Sequence, residues 1–359
     1  MPTDPWADFD EHERVVVARD PESGVAMVIA LHSTVLGPAL GGTRMNAYAD
    51  QPLPRAAAYA DALRLARAMT LKNSLAGLDH GGGKAVIVAD PAQGTADLLR
   101  AYGRLVSTLD GAYVTAGDVG VSVADLDVIS ETCRWTTGRS PEKGGLGDSA
   151  ILTAVGVLAG MRATVETALG TESFDGLTIG IIGLGKVGGR LAQHLTEAGA
   201  TVIGYDPSPE ARDRAADTCP GVRLAGSVED VLAAGIDVLS PNALGGLVTE
   251  ELATATSARV ICGAANNQLA SPTVADLLAG RGVTYAPDFM VNCGGVIQIS
   301  QEYRHGTFEQ GRVQAEAVYD TTRRVLERAR RQGVTPVAAA EQDALERIRA
   351  RSAERGAVV

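Results

Sequence analysis

The chain has 359 residues, more than the roughly 250–300 that a single hydrophobic core organises, so two domains are expected. A formal net charge of −11 leaves no basic face for a phosphate backbone and argues against nucleic acid as a partner. Cys133, Cys219, Cys262 and Cys293 show no C-x-x-C spacing, and His12, His32, His80, His194 and His305 show no ligand spacing, so no metal or redox motif is expected.

The acidic stretch 1–13 lacks the apolar centre of a signal peptide, and no apolar run reads as long enough to span a bilayer. A cytoplasmic protein with no membrane partner is expected. Residues 14–20 and 25–32 read as strands around a Pro21–Gly24 turn, and Gly37-Pro38 and Gly41-Gly42 as a loop. A helix is expected over 55–73, with Leu65, Ala68, Met69 and Lys72 along one stripe. Then come a strand over 84–90, a helix over 96–109, a strand over 112–116 and a helix over 123–131. This alternation gives an α/β first domain, 1–145. The segment 136–149, rich in Gly and Pro, reads as a hinge.

A second βα series follows a long Ala-rich helix over 150–169. Its strands are expected at 178–182, 201–205, 238–240, 260–262 and 283–285, with a break at Cys293-Gly294-Gly295. The second domain is placed at 146–330, and the last helix, 331–359, is expected to pack back on the first domain. Cys262 and Cys293 sit in apolar runs and read as small buried hydrophobes.

The strand 178–182 runs into Gly183-x-Gly185-x-x-Gly188 and a helix over 190–198. In a dinucleotide fingerprint the first glycine allows a tight turn, the second a close approach of pyrophosphate, and the third tight helix packing. Lys186 and Val187 stand at the helix N-terminus, where free N–H groups favour an anion. The next strand ends at Asp206, placed to accept hydrogen bonds from ribose hydroxyls and to repel a 2′-phosphate. The expected cofactor is therefore NAD rather than NADP.

Three charged residues stand out in the first domain. Lys72 shares a helical stripe with apolar residues, Lys84 follows Gly81-Gly82-Gly83 at the mouth of an apolar strand, and Asp118 ends a short strand. Three glycines beside Lys84 would leave a bare pocket wall. Two lysines in a dry cleft would depress each other's pKa by burial and repulsion, as a lysine base requires. A cation for a substrate carboxylate, a base for water and a carboxylate to move amine protons are what oxidation of an amino acid needs.

Gly37-Pro-Ala-Leu-Gly-Gly-Thr-Arg44, Met69-Thr-Leu-Lys72, Gly77-Leu-Asp-His-Gly-Gly-Gly-Lys84, Gly117-Asp-Val-Gly120, Gly263-Ala-Ala-Asn-Asn267 and Ala286-Pro-Asp-Phe…Asn292-Cys-Gly-Gly-Val-Ile297 follow one another along the chain. In these motifs the chain resembles the leucine/valine/phenylalanine dehydrogenase branch of the glutamate dehydrogenase superfamily, most nearly its valine dehydrogenases. The resemblance implies two α/β domains, the second a Rossmann domain, with the active site in the cleft between them, in a homo-oligomer. It implies that Lys72 binds the substrate carboxylate, Lys84 activates water and Asp118 exchanges protons with the amino nitrogen. Thr153 and Asn267 would lie near the nicotinamide and the substrate carboxylate, and Gly41 and Gly42 would line the cleft. Leu40, Ala116, Val296 and Ile299 would line an apolar side-chain pocket, which favours valine, leucine and isoleucine. Gly117, where many members carry a larger residue, and Cys293, where alanine is usual, depart from the family pattern. Two other readings are reduction of a preformed imine or unusual oxo acid, and a silent NAD-binding subunit. The second would have fitted loss of Lys72, Lys84 or Asp118, and all three are present.

Overall fold

The structure, a computed structural model, describes residues 9, 11–243 and 245–356. Most of the acidic stretch 1–13 lies outside the described residues. The chain divides into two compact units. The first comprises Met1–Ser149, Gln298–Gln310 and Ala344–Val359; the second comprises Ala150–Ile297 and Gly311–Asp343. The sequence reading gave all of 331–359 to the first domain. Here a helix ends at Gln332 and another starts at Pro336, and only its part from Ala344 onward joins the first unit.

The first unit is built on strands β1 (Arg14–Arg19), β2 (Ala26–Ser33), β3 (Ala39–Met45), β4 (Gly81–Val88) and β5 (Tyr113–Gly117), with helices α1 (Pro54–Leu75), α2 (Ala96–Ser107) and α3 (Val123–Ser130). The sheet order is β1-β2-β4-β3-β5. β1, β2 and β4 pair antiparallel, and β3 lies parallel to both β4 and β5. Side chains alternate along each strand, so one face gathers Val28, Ala30 and Val86 against Ala58, Ala62 and Ala66 of α1. The other gathers Ile29, Ala85 and Ile87 against Leu98 and Tyr102 of α2 and Leu126 and Ile129 of α3. Both short helices begin at side-chain caps. Thr95 accepts from the Leu98 amide, and Ser122 and Asp125 form a capping box.

Gly41 and Gly42 are not a loop but the middle of β3, and β4 begins at Gly81 rather than at Lys84. The reason is close packing. A Cβ on Gly41 would overlap the Gly83 carbonyl, and one on Gly82 would overlap the backbone of Thr70 in α1; one on Gly83 would lie 2.8 Å from the Tyr113 ring. The glycines beside Lys84 therefore let α1 and Tyr113 press onto the sheet, and Lys84 stands inside a strand.

The second unit opens with α4 (Ala150–Leu169) and continues β6 (Thr178–Ile182), α5 (Lys186–Glu197), β7 (Thr201–Tyr205), α6 (Pro209–Thr218), β8 (Arg223–Leu224), α7 (Val228–Ala233), β9 (Val238–Pro241), α8 (Glu250–Ala255), β10 (Val260–Ile261), α9 (Thr273–Gly280), β11 (Thr284–Tyr285) and α10 (Asp288–Val291). The remaining helices are α11 (Gly294–Tyr303), α12 (Phe308–Glu316), α13 (Val318–Gln332) and α14 (Pro336–Gly356). The sheet is parallel throughout, in the order β11-β10-β9-β6-β7-β8. Numbered within the unit this is the 3-2-1-4-5-6 arrangement of dinucleotide-binding folds. The two-residue β8 was not legible in the sequence. Helix α4 is long and apolar enough to cross a membrane by length and composition, contrary to the sequence reading. It is a core helix, packed on α13 and α10, with Gly160 against Val291.

One feature of the first unit makes its stability pH-dependent. His32 on β2 bonds through Nδ1 to Thr70 Oγ1 at 2.8 Å, and its ring meets His12 edge-on. Burial, with His12 and Arg67 nearby, lowers its pKa from 6.5 to about 4. Between those values the unfolded chain takes up a proton that the folded chain refuses, so stability is lost as pH falls from 6.5 to about 4. The melting temperature should drop over this window, and His32→Gln should lose less of it. Equal losses in the two proteins would exclude His32 as a contributor.

Candidate active site

The alternation that builds the first sheet also sorts its polar residues. Thr43, Thr115 and Tyr102 bond one another on the α2 side, Thr43 Oγ1 lying 2.5 Å from Tyr102 Oη and 2.6 Å from Thr115 Oγ1. One residue further along, the other face collects charge. Lys84 Nζ donates to Asp118 Oδ2 at 2.6 Å, and Arg44 Nε donates to the same oxygen at 3.1 Å. Arg44 Nη1 reaches Asp61 Oδ2 at 2.7 Å. Tyr48 Oη donates to that Asp61 oxygen at 2.7 Å, and Arg64 Nη2 to Asp61 Oδ1 at 2.6 Å.

Lys84 is only 5% exposed. Burial pushes its pKa down, Asp118 opposes that, and the Arg44 guanidinium adds to the depression. The like charge acting on Lys84 is thus Arg44, where the sequence reading gave that part to Lys72. Burial alone would raise the Asp118 carboxyl, but Lys84 and Arg44 outweigh it and hold the pKa at about 2. Asp118 is therefore an anion throughout the neutral range, beside a lysine poised to give up its proton more readily than usual.

Lys72 lies in the last turn of α1 and is half-buried, as are Met69 and Ala68 on the same stripe. Met69 leans over Gly41, its Cγ 3.3 Å from where a Cβ would stand. Gly42 presses on Asp118, whose Cβ is 3.0 Å from the same construction. Leu40 and Ala116 are buried on β3 and β5, and the Leu40 carbonyl accepts from Asn73 Nδ2 at 3.1 Å. Val296 is buried and Ile299 half-buried, three residues apart on α11. Gly117 is exposed, and a Cβ there would lie 3.3 Å from Leu126 Cδ1, a tight contact with the end of a flexible side chain. Further along α11, Glu302 gathers the 138–146 segment. Its carboxylate accepts from the amides of Gly138, Arg139 and Leu146 and from Arg139 Nε.

In the second unit the three fingerprint glycines have three different surroundings. Gly183 has φ +99°, and a Cβ would strike the Asn242–Ala243 backbone after β9. Gly185 faces open space, and a Cβ on Gly188 would overlap the Gly183 carbonyl. Gly185 is the N-cap of α5 and makes no side-chain cap bond; Lys186 beside it is exposed and Val187 half-buried. Asp206 follows β7. Its Oδ2 accepts from the Leu184 amide at 2.8 Å and its Oδ1 from the Ser208 amide at 2.9 Å. The acid thus braces the glycine loop. A loop with an open glycine, bare helix amides and an acid at the neighbouring strand end fits a dinucleotide at the switch point between β6 and β9.

Thr153 is half-buried in the first turn of α4. Asn267 is exposed at φ +53°, its amide bonded to Asp288 Oδ2 at 2.7 Å. Asn242 Oδ1 accepts from the Ala264 amide at 2.9 Å, and Asn292 Nδ2 donates to the Ala264 carbonyl and to Asn266 Oδ1. These pins of the 263–267 loop had no role in the sequence reading, nor did Arg44, Tyr48, Asp61 or Glu302. Cys293 and Cys262 are both buried, and burial pushes the Cys262 thiol up, as suits an inert core residue.

Residues 12–135 match the family model described as Glu/Leu/Phe/Val dehydrogenase, dimerisation domain. Residues 213–356 match the model for Glutamate/Leucine/Phenylalanine/Valine dehydrogenase. Residues 158–252, overlapping the second match, fit the model for D-isomer specific 2-hydroxyacid dehydrogenase, NAD binding domain. A valine dehydrogenase of Streptomyces virginiae is 48% identical over 344 residues, covering 95% of either chain. A leucine dehydrogenase of Bacillus subtilis is 41% identical over 94% of this chain and 92% of its own. Among solved structures, an L-tryptophan dehydrogenase from Nostoc punctiforme superposes with a TM-score of 0.82 at 35% identity, over 95% of this chain and 97% of that one. A hetero-hexameric glutamate dehydrogenase from Thermus thermophilus, 23% identical with a TM-score of 0.80 over 99% and 92% of the two chains, shares the fold. With its charged cluster on the first sheet and its nucleotide fold in the second, the chain belongs to the glutamate/leucine/phenylalanine/valine dehydrogenase family.

Proposed function

We propose that the protein is an NAD-dependent dehydrogenase of branched-chain aliphatic L-amino acids. It converts valine, leucine or isoleucine, with water, to the 2-oxo acid and ammonia, and runs the reverse reductive amination. The observation that carries this reading is the Lys84–Asp118 pair, a buried lysine with a depressed pKa against a carboxylate that is ionised in the resting site and able to accept a proton. The valine and leucine dehydrogenases reported above support the substrate class.

Lys72 holds the α-carboxylate of the substrate. Asp118 takes a proton from the substrate ammonium, leaving the amine lone pair free to assist loss of the α-hydrogen. NAD, when bound, would supply the hydride acceptor for that hydrogen. Lys84, in its neutral form, then removes a proton from the water that adds to the substrate's C=N carbon and passes it to solvent. Asp118 returns its proton to the nitrogen, and as ammonia leaves, Lys84 takes the remaining hydroxyl proton so that the C=O bond forms. The cofactor would be held by Gly183, Gly185 and Gly188, by the amides of Lys186 and Val187, and by Asp206, with Thr153 and Asn267 toward the nicotinamide. As the family model for residues 12–135 is that of a dimerisation domain, the enzyme works as a homo-oligomer. The test is NADH oxidation with the 2-oxo acid of valine, with and without ammonium. A strict ammonium requirement fits amino-acid dehydrogenation. Turnover without ammonium would mean that a carbonyl or preformed imine is the true substrate.

Choice of NAD over NADP rests on Asp206. On this reading a 2′-phosphate would come against its carboxylate, which also braces Leu184. Asp206→Ala should raise KM for both cofactors while eroding the ratio of kcat/KM for NAD over NADP. A wild-type enzyme that uses the two equally would overturn the assignment.

A further inference from the structure

The reaction assigns roles to Lys84 and Asp118 but leaves Arg44 without one, although it is the third member of the cluster. Arg44 Nε and Lys84 Nζ donate to the same Asp118 oxygen. The other end of the guanidinium is held by Asp61, which Tyr48 and Arg64 hold in turn. Tyr48 is buried and has φ +51°, a left-handed backbone that a bulky residue adopts only where its surroundings fix it. Its amide is tied to Asn46 Oδ1 at 3.0 Å and its hydroxyl to Asp61. This bracing runs from α1 through Asp61 to Arg44 and ends on Asp118.

We infer, on the reading proposed above, that Arg44 is a positioning residue of the reaction. It keeps the Asp118 carboxylate in place when Lys84 turns from it to water, and it sets the charge that Lys84 feels. A planar guanidinium suits this task, since it bonds two carboxylates at once and never loses its proton.

The groups facing Lys84 give the proposal its signs. From the end of β5 comes Asp118, from β3 comes Arg44, and from α1 comes Asp61, with Tyr48 and Arg64 against it and Lys72 about three turns further along. Arg44 favours loss of the Lys84 proton, and Asp61 opposes it. In the oxidative direction kcat rises with pH as Lys84 becomes neutral. Arg44→Gln should therefore move that limb to higher pH, by up to about one unit. Asp61→Asn should move it to lower pH. In both variants kcat falls, on the order of tenfold, because the carboxylate is no longer braced, while NADH affinity stays at the wild-type value. Arg44→Lys keeps the charge but cannot grip both carboxylates. It should leave the limb near wild type while kcat stays low.

The experiment measures kcat and KM from pH 7 to 11 for the full-length wild type, the three variants and Asp118→Asn, with NADH binding followed by fluorescence. Opposite shifts in Arg44→Gln and Asp61→Asn support the proposal, because a merely structural role would lower the amount of active enzyme without moving either limb. Limbs that coincide with wild type, while Asp118→Asn is inactive, overturn the role of Arg44 and leave the catalytic pair standing. An active Asp118→Asn overturns the reading of the pair itself.

Discussion

Replacing Lys84 with alanine should lower kcat by at least about 100-fold, the lower range for loss of a general base, while NADH still binds. The size follows from how little can stand in for it. Lys84 is buried inside β4, so solvent cannot supply a base at the same point. Arg44, the other cation on Asp118, is permanently protonated and cannot take a proton from water. The folded state should survive the change. Asp118 keeps the Arg44 bond and so remains a paired anion rather than a stranded one. NADH binding, which draws on the second unit, serves as the control for folding. Near-normal turnover with intact NADH binding would remove Lys84 from the mechanism, and Asp118 would have to be reassigned with it.

The second large effect concerns the substrate side chain. Glutamate should be poorer than valine by about a thousandfold or more in kcat/KM. On the reading proposed above, the substrate side chain would meet Leu40 and Ala116, which are buried and apolar, and Val296 and Ile299, two β-branched residues on one helix face. The nearby cations Arg44 and Lys84 are already engaged by Asp61 and Asp118. A second carboxylate in such a pocket would be buried without a partner, which costs several kcal/mol, and each 1.4 kcal/mol is a factor of about ten. Among the aliphatic substrates the order is closer, since one methylene is worth about 1–3 kcal/mol. Phenylalanine should rank below them, because two stiff branched side chains leave little flat space for a ring. Measuring kcat/KM for valine, leucine, isoleucine, phenylalanine and glutamate at fixed NAD decides the matter. Glutamate or phenylalanine in first place would refute this pocket.

What was legible in the sequence was what repeats at short range. Apolar periodicity placed α1 and α4 to within two residues at each end. The fingerprint Gly183-x-Gly185-x-x-Gly188 and Asp206 were legible because strand, turn, helix and strand follow in order. Gly41 and Gly42 were misread because glycine is the usual sign of a turn. Here it marks a strand whose neighbours come too close for a Cβ, and that depends on Gly83 and Asp118, far along the chain. Arg44 was equally opaque. Its partners are 17 and 74 residues away, and no local pattern links them. Glu302 had no signal at all, because the three amides that it binds lie more than 150 residues upstream.

That distance has a consequence for how the protein is made. The amides of Gly138, Arg139 and Leu146 must wait for Glu302. The Ser74 hydroxyl must wait for the Ala344 carbonyl, and the Leu78 carbonyl for Arg347. On a ribosome adding about 5–20 residues per second, the first unit emerges first yet is completed last. The intervening stretch, Ala150–Ile297, belongs to the second unit, which is itself completed only by Gly311–Asp343. Closing a loop of that length costs little more than closing one half as long, about 0.6 kcal/mol per doubling, so the delay is kinetic rather than energetic. During it the first sheet carries unmet amides in the 138–146 segment and an undocked face near Ser74. A nascent chain stalled before residue 298 should be more open to proteolysis in 138–146 than the finished protein.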